Sequence, residues 1–347
     1  MDASKAIGET DAMLNALAQR LTVKAGRTVP RHLTRLPGGR NNRVYRLDTD
    51  EGEPLAMKRY FHDPRDSRDR LGAEWNFITH AWSHGVRSVP EPLACDPAEQ
   101  AALYSFVPGR KLTAAELKPA HVDAAIDFVL AVNEHPRPQL TPASESCFSL
   151  SEHIATVERR VSRLATLDLA APHAGDARRL VTEKLLPAWN AVKARLAAGA
   201  EAAGLAADQV LATEDCCLSP SDFGFHNALL SNEGRLTFLD FEYAGRDDPA
   251  KLICDFFCQP DVPVPLSFHA HFIERLARGL KLDSAGVARC RLLLDAYRIK
   301  WTCIILNDFL PLGAARRAYA DAGHRAQRCA EQLAKAAAKL AALGPVA

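Results

Sequence analysis

Surplus charge is almost absent from this chain. Its 43 basic and 42 acidic side chains across 347 residues leave a net of +1, so no global field draws it to nucleic acid or to an anionic membrane surface. Long apolar runs are missing as well; none approaches the roughly 20 residues that a membrane-spanning helix needs. The amino end, MDASKAIGETDAMLNALAQR, carries acids where an export signal has an apolar core. Nine cysteines are present, but the count is odd and no C-x-x-C occurs. Reduced thiols in a cytoplasmic protein are the expectation. Cys254 and Cys258, one helical turn apart, read more readily as small core side chains than as a shared metal site. There is neither a GxGxxG nor a GxxxxGK[ST], which excludes a standard dinucleotide fingerprint and a P-loop. At 48% hydrophobic and 24% charged, what remains is a soluble globular chain long enough for two lobes.

What is there changes character along the chain. After a leading helix at about 8–25, residues 31–60 alternate in short runs separated by Gly/Asn and Asp/Glu/Gly turns, the pattern of a small antiparallel sheet. A helix follows, with Leu71, Trp75, Ile78 and Trp82 at helical spacing and Gly85 after its end. Two more strands, EPLACDP and QAALYSFV, close the sheet region at Pro108-Gly109. Beyond Thr113 the chain turns helical, roughly over 113–134, 149–166, 174–203, 265–279, 286–310 and 314–342. Short strands are expected near 216–219, 227–231 and 235–240. The expected organisation is an α+β chain, an N-terminal sheet lobe over 1–107 and a helical C-terminal lobe over 108–347.

Several polar residues stand out. Lys58 ends a strand, and Glu74 sits on or beside the apolar stripe of the next helix. A carboxylate facing a core is costly unless paired, and Lys58 is the natural partner; taken alone, an ordinary ion pair, or a Glu at the stripe's solvent edge, is the first expectation. Gly38, Gly39, Asn41 and Asn42 cluster between two strands. Gly and Asn tolerate positive φ and let backbone N–H groups converge on an anion, and a plain hairpin turn needs the same residues. Further on, SPSDFGFHNALL sets Asp222 and Asn227 five apart, and FLDFEYAG sets Asp240 at the end of an apolar run. Asp240 and Glu242, two apart, are expected on one side of a strand. Asp295, Arg298, Lys300 and Asp308 fall in the nearly all-apolar stretch 292–310, where internal ion pairs are the first expectation and substrate contact the second.

The order of these features resembles the protein-kinase-like fold, and within it the aminoglycoside phosphotransferase and choline kinase superfamily of small-molecule kinases. That family's H-G-D-x-x-x-x-N matches Pro220-Ser221-Asp222 through Asn227, and its [IL]-D-[FW]-E-x-A matches Leu239 to Ala244. A looser G-D-P-x-x-D-[LF] matches Arg246-Asp247-Asp248-Pro249 and, a few residues on, Asp255-Phe256. The resemblance spans about residues 35–260 and implies Mg²⁺ with ATP or GTP, and a small-molecule hydroxyl as acceptor. By it, Asp222 is the catalytic carboxylate, and Asn227 and Asp240 hold the metal with Glu242 beside them. Lys58, aimed by Glu74, meets the α- and β-phosphates; the turn at Gly38, Gly39, Asn41 and Asn42 covers them. Backbone groups near Ser105 and Val107 meet the nucleobase. One departure stands out: Pro220 replaces the family's His, and with it a side-chain donor. No acidic cluster suited to a polycationic antibiotic is visible, which favours a sugar, amino alcohol or similar metabolite. A protein kinase is disfavoured because Phe-Glu follows Asp240 and no A-P-E segment appears. A nucleotide-binding regulator without transfer is the remaining alternative.

Overall fold

This computed structural model describes residues 11–37, 42–50, 52–62, 66, 68–135, 141–311 and 325–343. Gly38, Gly39 and Asn41 lie outside the described residues. The chain divides into two compact units. One holds the residues up to Leu112 together with Asn227–Ala244; the other holds Thr113–His226 and the residues from Gly245 onward.

In the first unit α1 (Asp11–Lys24) precedes β1 (His32–Arg35), β2 (Arg43–Asp48) and β3 (Leu55–Arg59). Then come α2 (Arg70–Ser83), β4 (Pro92–Asp96) and β5 (Ala101–Ser105). The five strands form one antiparallel sheet in the order β1-β2-β3-β5-β4. Alternation assigns its faces. Tyr45, Leu47, Leu55, Met57, Ala101 and Leu103 pack on Leu14, Leu17, Ala18 and Leu21 of α1. Lys58, one residue past Met57, therefore points to the other face, where α2 lies. Asp69 caps α2 by accepting from Gly72 N–H at 2.8 Å, and Gly85, at φ 82°, turns the chain away after its end. The buried stripe of α2 runs Leu71, Glu74, Phe77, Ile78, Ala81. It is rotated from the expected one, so Glu74 sits in the middle of the stripe and the two tryptophans flank it.

The hairpin of β7 (Ala228–Leu230) and β8 (Leu236–Phe238) also belongs to this unit. The expected strand through Asp240 stops at Phe238. Asp240 has a left-handed backbone, φ 66°, and residues 239–244 form no strand. The alternation argument that put Asp240 and Glu242 on one side of a strand therefore does not apply.

The second unit is mostly helical. It contains α3 (Pro119–Asn133), α4 (Leu150–Arg163), and α5 (Ala174–Leu180), which passes through a π-turn at Val181–Leu185 into α6 (Leu186–Ala202). Pro187 lacks the N–H that an α-helix would bond four residues back, and the wider turn accommodates it. The two short strands β6 (Cys217–Ser219) and β9 (Gly245–Asp247) pair antiparallel. Gly245 is there for space: a Cβ would lie 2.5 Å from the Thr141 carbonyl. The helices α7 (Pro249–Cys258), α8 (His269–Leu280), α9 (Ser284–Leu292), α10 (Leu294–Ile305) and α11 (Arg325–Ala341) complete it. The expected helix over 286–310 is two helices broken at Leu293, and α7 was not foreseen. Every residue of α7 is buried, including Lys251 and Asp255, which lie one turn apart and pair at 3.2 Å. Of the expected helix 314–342, residues 325–341 are helical; 312–324 lie outside the described residues.

Candidate active site

The first unit's polar centre is built on Lys58. Its Nζ donates to Glu74 Oε2 and to Asp240 Oδ1, each at 2.6 Å. Lys58 and Glu74 are almost fully buried, whereas the Asp240 side chain is 41% exposed. Burial pulls an ammonium's pKa down, but the two carboxylates outweigh it and the net shift is upward, so Lys58 stays charged. Burial also pushes Glu74 up to about 7, against the pull of Lys58. The Lys58–Glu74 pair is internal rather than a solvent-edge contact, and it aims the ammonium at the exposed Asp240.

Asp240 arrives there by way of the β7–β8 hairpin. Ala228 faces Phe238 across it, and Leu239 N–H bonds the Asn227 carbonyl at 2.8 Å. Asn227 and Asp240 thus flank the same end of the hairpin. Phe241 stacks on Phe77 of α2 with centroids 4.4 Å apart, so the helix that carries Glu74 also holds the loop that carries Asp240. The side-chain donors here are oxygens, the type Mg²⁺ prefers, and Mg²⁺ is commonly held by one or two protein ligands with waters and phosphates completing the shell. Among the described residues no group of three or more His, Cys, Asp or Glu is placed to hold a metal ion.

Glu242 is placed differently. It is buried at 5% exposure; Asn42 Nδ2 donates to its Oε2 at 2.6 Å, and Arg70 Nε stands 3.6 Å from the same oxygen. Asn42 Oδ1 also accepts from Phe61 N–H at 3.2 Å. Asn42 therefore contributes its side chain, tying the start of β2 to Glu242. Arg70 is a residue the sequence reading passed over; a buried guanidinium at a helix's first position leaves no signal of its partner. At the end of β5, Ser105 N–H bonds Glu91 O at 3.0 Å and Phe106 N–H bonds Pro54 O at 3.1 Å. No hydrogen bond to the Val107 N–H exists among the described residues.

Asp222 lies in the second unit, on the loop after β6. The side-chain amide of Asn133, at the end of α3, clamps that strand: Nδ2 donates to Leu218 O at 3.0 Å, and Oδ1 accepts from Leu218 N–H at 2.8 Å. Ser221 adopts φ 67° where the family motif has Gly, and its N–H bonds Ser219 Oγ at 3.1 Å. Phe223 stacks between Phe128 and Phe256, at 5.6 and 5.3 Å. Asp222 Oδ1 is 3.3 Å from His226 Nε2, four residues on. Downstream, Asp248 caps α7 through Ala250 N–H at 2.9 Å, with Pro249 at the position where a missing N–H costs nothing. Lys300 bonds Asp255 at 2.8 Å, and Asp295 pairs with Arg195 at 2.9 Å; internal ion pairs account for both.

A model of the phosphotransferase enzyme family matches residues 32–293. A search of curated proteins gives no significant match. Solved structures share the fold. A spectinomycin phosphotransferase, solved with ADP and spectinomycin, is 14% identical with a TM-score of 0.60, covering 93% of this chain and 97% of its own. A choline/ethanolamine kinase family protein from Mesorhizobium loti is 20% identical with a TM-score of 0.54, covering 95% and 98%. An amicoumacin kinase, solved with AMP-PNP and Ca²⁺, is 16% identical with a TM-score of 0.53, covering 97% of both chains.

Proposed function

The chain belongs to the phosphotransferase enzyme family, and from that premise we propose that it moves the γ-phosphate of ATP, or of GTP, with Mg²⁺, to a hydroxyl of a small molecule such as a sugar or amino alcohol. The observation that carries the reading is the Lys58 ammonium held at 2.6 Å by both Glu74 and Asp240. A buried, permanently charged lysine beside an exposed carboxylate on an oxygen-rich hairpin end is suited to phosphates and a hard cation.

In this reading Lys58 contacts the α- and β-phosphates, and Glu74 holds it in place. Asn227 and Asp240 hold Mg²⁺, which, when bound, neutralises the charge that develops as the phosphoryl group transfers. Glu242, gripped by Asn42 and Arg70, acts from behind that site as a support for its loop. Gly38, Gly39 and Asn41, outside the described residues, would cover the phosphates. The Val107 N–H, lacking a partner among the described residues, is available to a nucleobase, and Ser105 fixes the connector through Glu91. Asp222 orients the acceptor hydroxyl and takes its proton, a contribution of about 10²–10⁴-fold in rate. All nine cysteines are free thiols, and no helix among the described residues is long and apolar enough to cross a membrane. In this reading the enzyme works in the cytoplasm, where thiols stay reduced.

Thermal unfolding with ATP and GTP, with and without Mg²⁺, tests the reading on wild type and Asp240→Asn. Ligand at a hundred times its Kd adds about 2.7 kcal/mol. A Mg²⁺-dependent rise in wild type alone is expected; no rise with either nucleotide overturns the proposal. Asp222→Asn should keep the rise and lose transfer. Nucleotide binding without turnover in wild type would identify a regulator instead.

A further inference from the structure

We propose that His226 is the positioning residue for Asp222, holding the carboxylate in one orientation through an Nε2–H donor. The inference rests on the reading of Asp222 as the base. Four observations carry it. The Phe225–Asn227 turn brings the imidazole back onto the loop, with Nε2 3.3 Å from Asp222 Oδ1. The ring is only 15% exposed, whereas the carboxylate it meets is 39% exposed. Nδ1 is buried and has no hydrogen-bond partner among the described residues. The ring also rests directly on the loop's own backbone: a Cβ on Gly224 would lie 2.8 Å from Nδ1 and 3.2 Å from Gln259 Cγ.

These facts select a tautomer. With the proton on Nε2, the ring donates to the carboxylate and leaves only a lone pair at Nδ1. With the proton on Nδ1, a lone pair would face the carboxylate and a buried N–H would have no acceptor, the costlier arrangement. The ring's position is fixed as well. Phe225, fully buried, packs edge-on against Phe256 at 5.6 Å, which anchors the turn immediately before His226. Gly224 leaves room for the ring, where any side chain would press on it. Pro220, two residues before Asp222, offers neither an N–H nor a side-chain donor. A side-chain donor to the carboxylate comes from four residues downstream instead. A base whose carboxylate is partly exposed gains from such a constraint, because proton transfer depends on heavy-atom alignment within about 2.6–3.2 Å of the hydroxyl.

The test combines kinetics with nitrogen NMR of the imidazole. Turnover is followed as ADP release from Mg-ATP with water as the phosphoryl acceptor. Three variants are compared with wild type: Asp222→Asn, His226→Leu, which lacks a donor, and His226→Gln, whose amide places an N–H near the Nε2 position. Losing a partner that orients an active-site group costs about 10–100-fold. We expect that loss in kcat for His226→Leu with KM for ATP little changed, substantial recovery in His226→Gln, and a wild-type His226 spectrum showing the Nε2–H tautomer. Unchanged kcat in His226→Leu overturns the inference. So does a Gln variant as slow as the Leu variant, since that marks packing alone. An Nδ1–H tautomer overturns it even if both variants fail to fold. Full turnover in Asp222→Asn instead sinks the underlying role of Asp222, so the two failures are distinguishable.

Discussion

At the scale of single residues, the candidate site is held by a few groups with no freedom to be otherwise. Lys58 neutralises Glu74 in a buried setting. Removing one partner of such a pair strands the other, at a cost of about 3–5 kcal/mol. Lys58→Met should lower unfolding free energy in urea by that order, and adding Glu74→Met should restore most of it, because two apolar side chains of similar volume replace the pair. A double variant no more stable than the single one would show that the pair is not what Lys58 stabilises. Ser221 poses the opposite case. Its φ of 67° costs a residue with a Cβ roughly 1–2 kcal/mol, and glycine's extra chain entropy returns about 0.5–1 kcal/mol of that. Ser221→Gly is therefore expected to stabilise by about 0.5–1 kcal/mol in thermal unfolding. A loss of stability would mean that the serine side chain compensates for the strain.

At the scale of elements, short strands do the positioning and helices hold the strands. The three residues of β6 cannot fix their own direction, so the Asn133 amide pairs with both polar backbone groups of Leu218. Asn133→Ala removes the two part-buried hydrogen bonds to Leu218, along with one to Val129 O, and leaves the strand's polar groups unsatisfied, a loss on the order of 2–4 kcal/mol at about 1–2 for each Leu218 bond. It should also lower kcat, because the loop carrying Asp222 begins where β6 ends. Chemical denaturation and ADP release measured on the same preparation check both effects; a stable variant with wild-type kcat would count against the clamp. The β7–β8 hairpin does the equivalent work in the other unit, bringing Asn227 and Asp240 to one end with no more than three paired residues per strand.

For the whole molecule, pH dependence follows from a buried network in the helical unit. His153 is fully buried; its Nε2 meets Asp248 at 3.2 Å and its Nδ1 meets the Tyr297 hydroxyl at 2.7 Å. Burial pulls its pKa down, but the hydrogen bond and charge of Asp248, with Cys147 nearby, win, and the net shift is up to about 9 from 6.5. Asp248, against its own burial, is held below its usual value by His153 and Arg289. A raised pKa means stability fully present below pH 6.5 and lost as pH rises through about 9. Unfolding free energy should therefore fall across that window, at up to 1.4 kcal/mol per pH unit, and His153→Phe should flatten it. An unchanged slope in that variant would place the proton release elsewhere. Much of this molecule is readable along the chain. Periodicity marks α2 and the sheet, since exposed faces leave a polar trace. The ordered Lys58, Glu74, Asp222, Asn227 and Asp240 mark the proposed site, because phosphate and a hard cation would accept few side-chain types. Three things were settled only by folding. The helix α7 is buried on every side, and its charged residues Lys251 and Asp255 find their partners Asp247 and Lys300 on other elements, which the local sequence does not specify. Glu242 meets Asn42 across two hundred positions, and no local pattern encodes that distance. The left-handed turns at Ser221 and Asp240 arise where strand ends must redirect side chains, a demand set by neighbouring elements and not by the residues themselves.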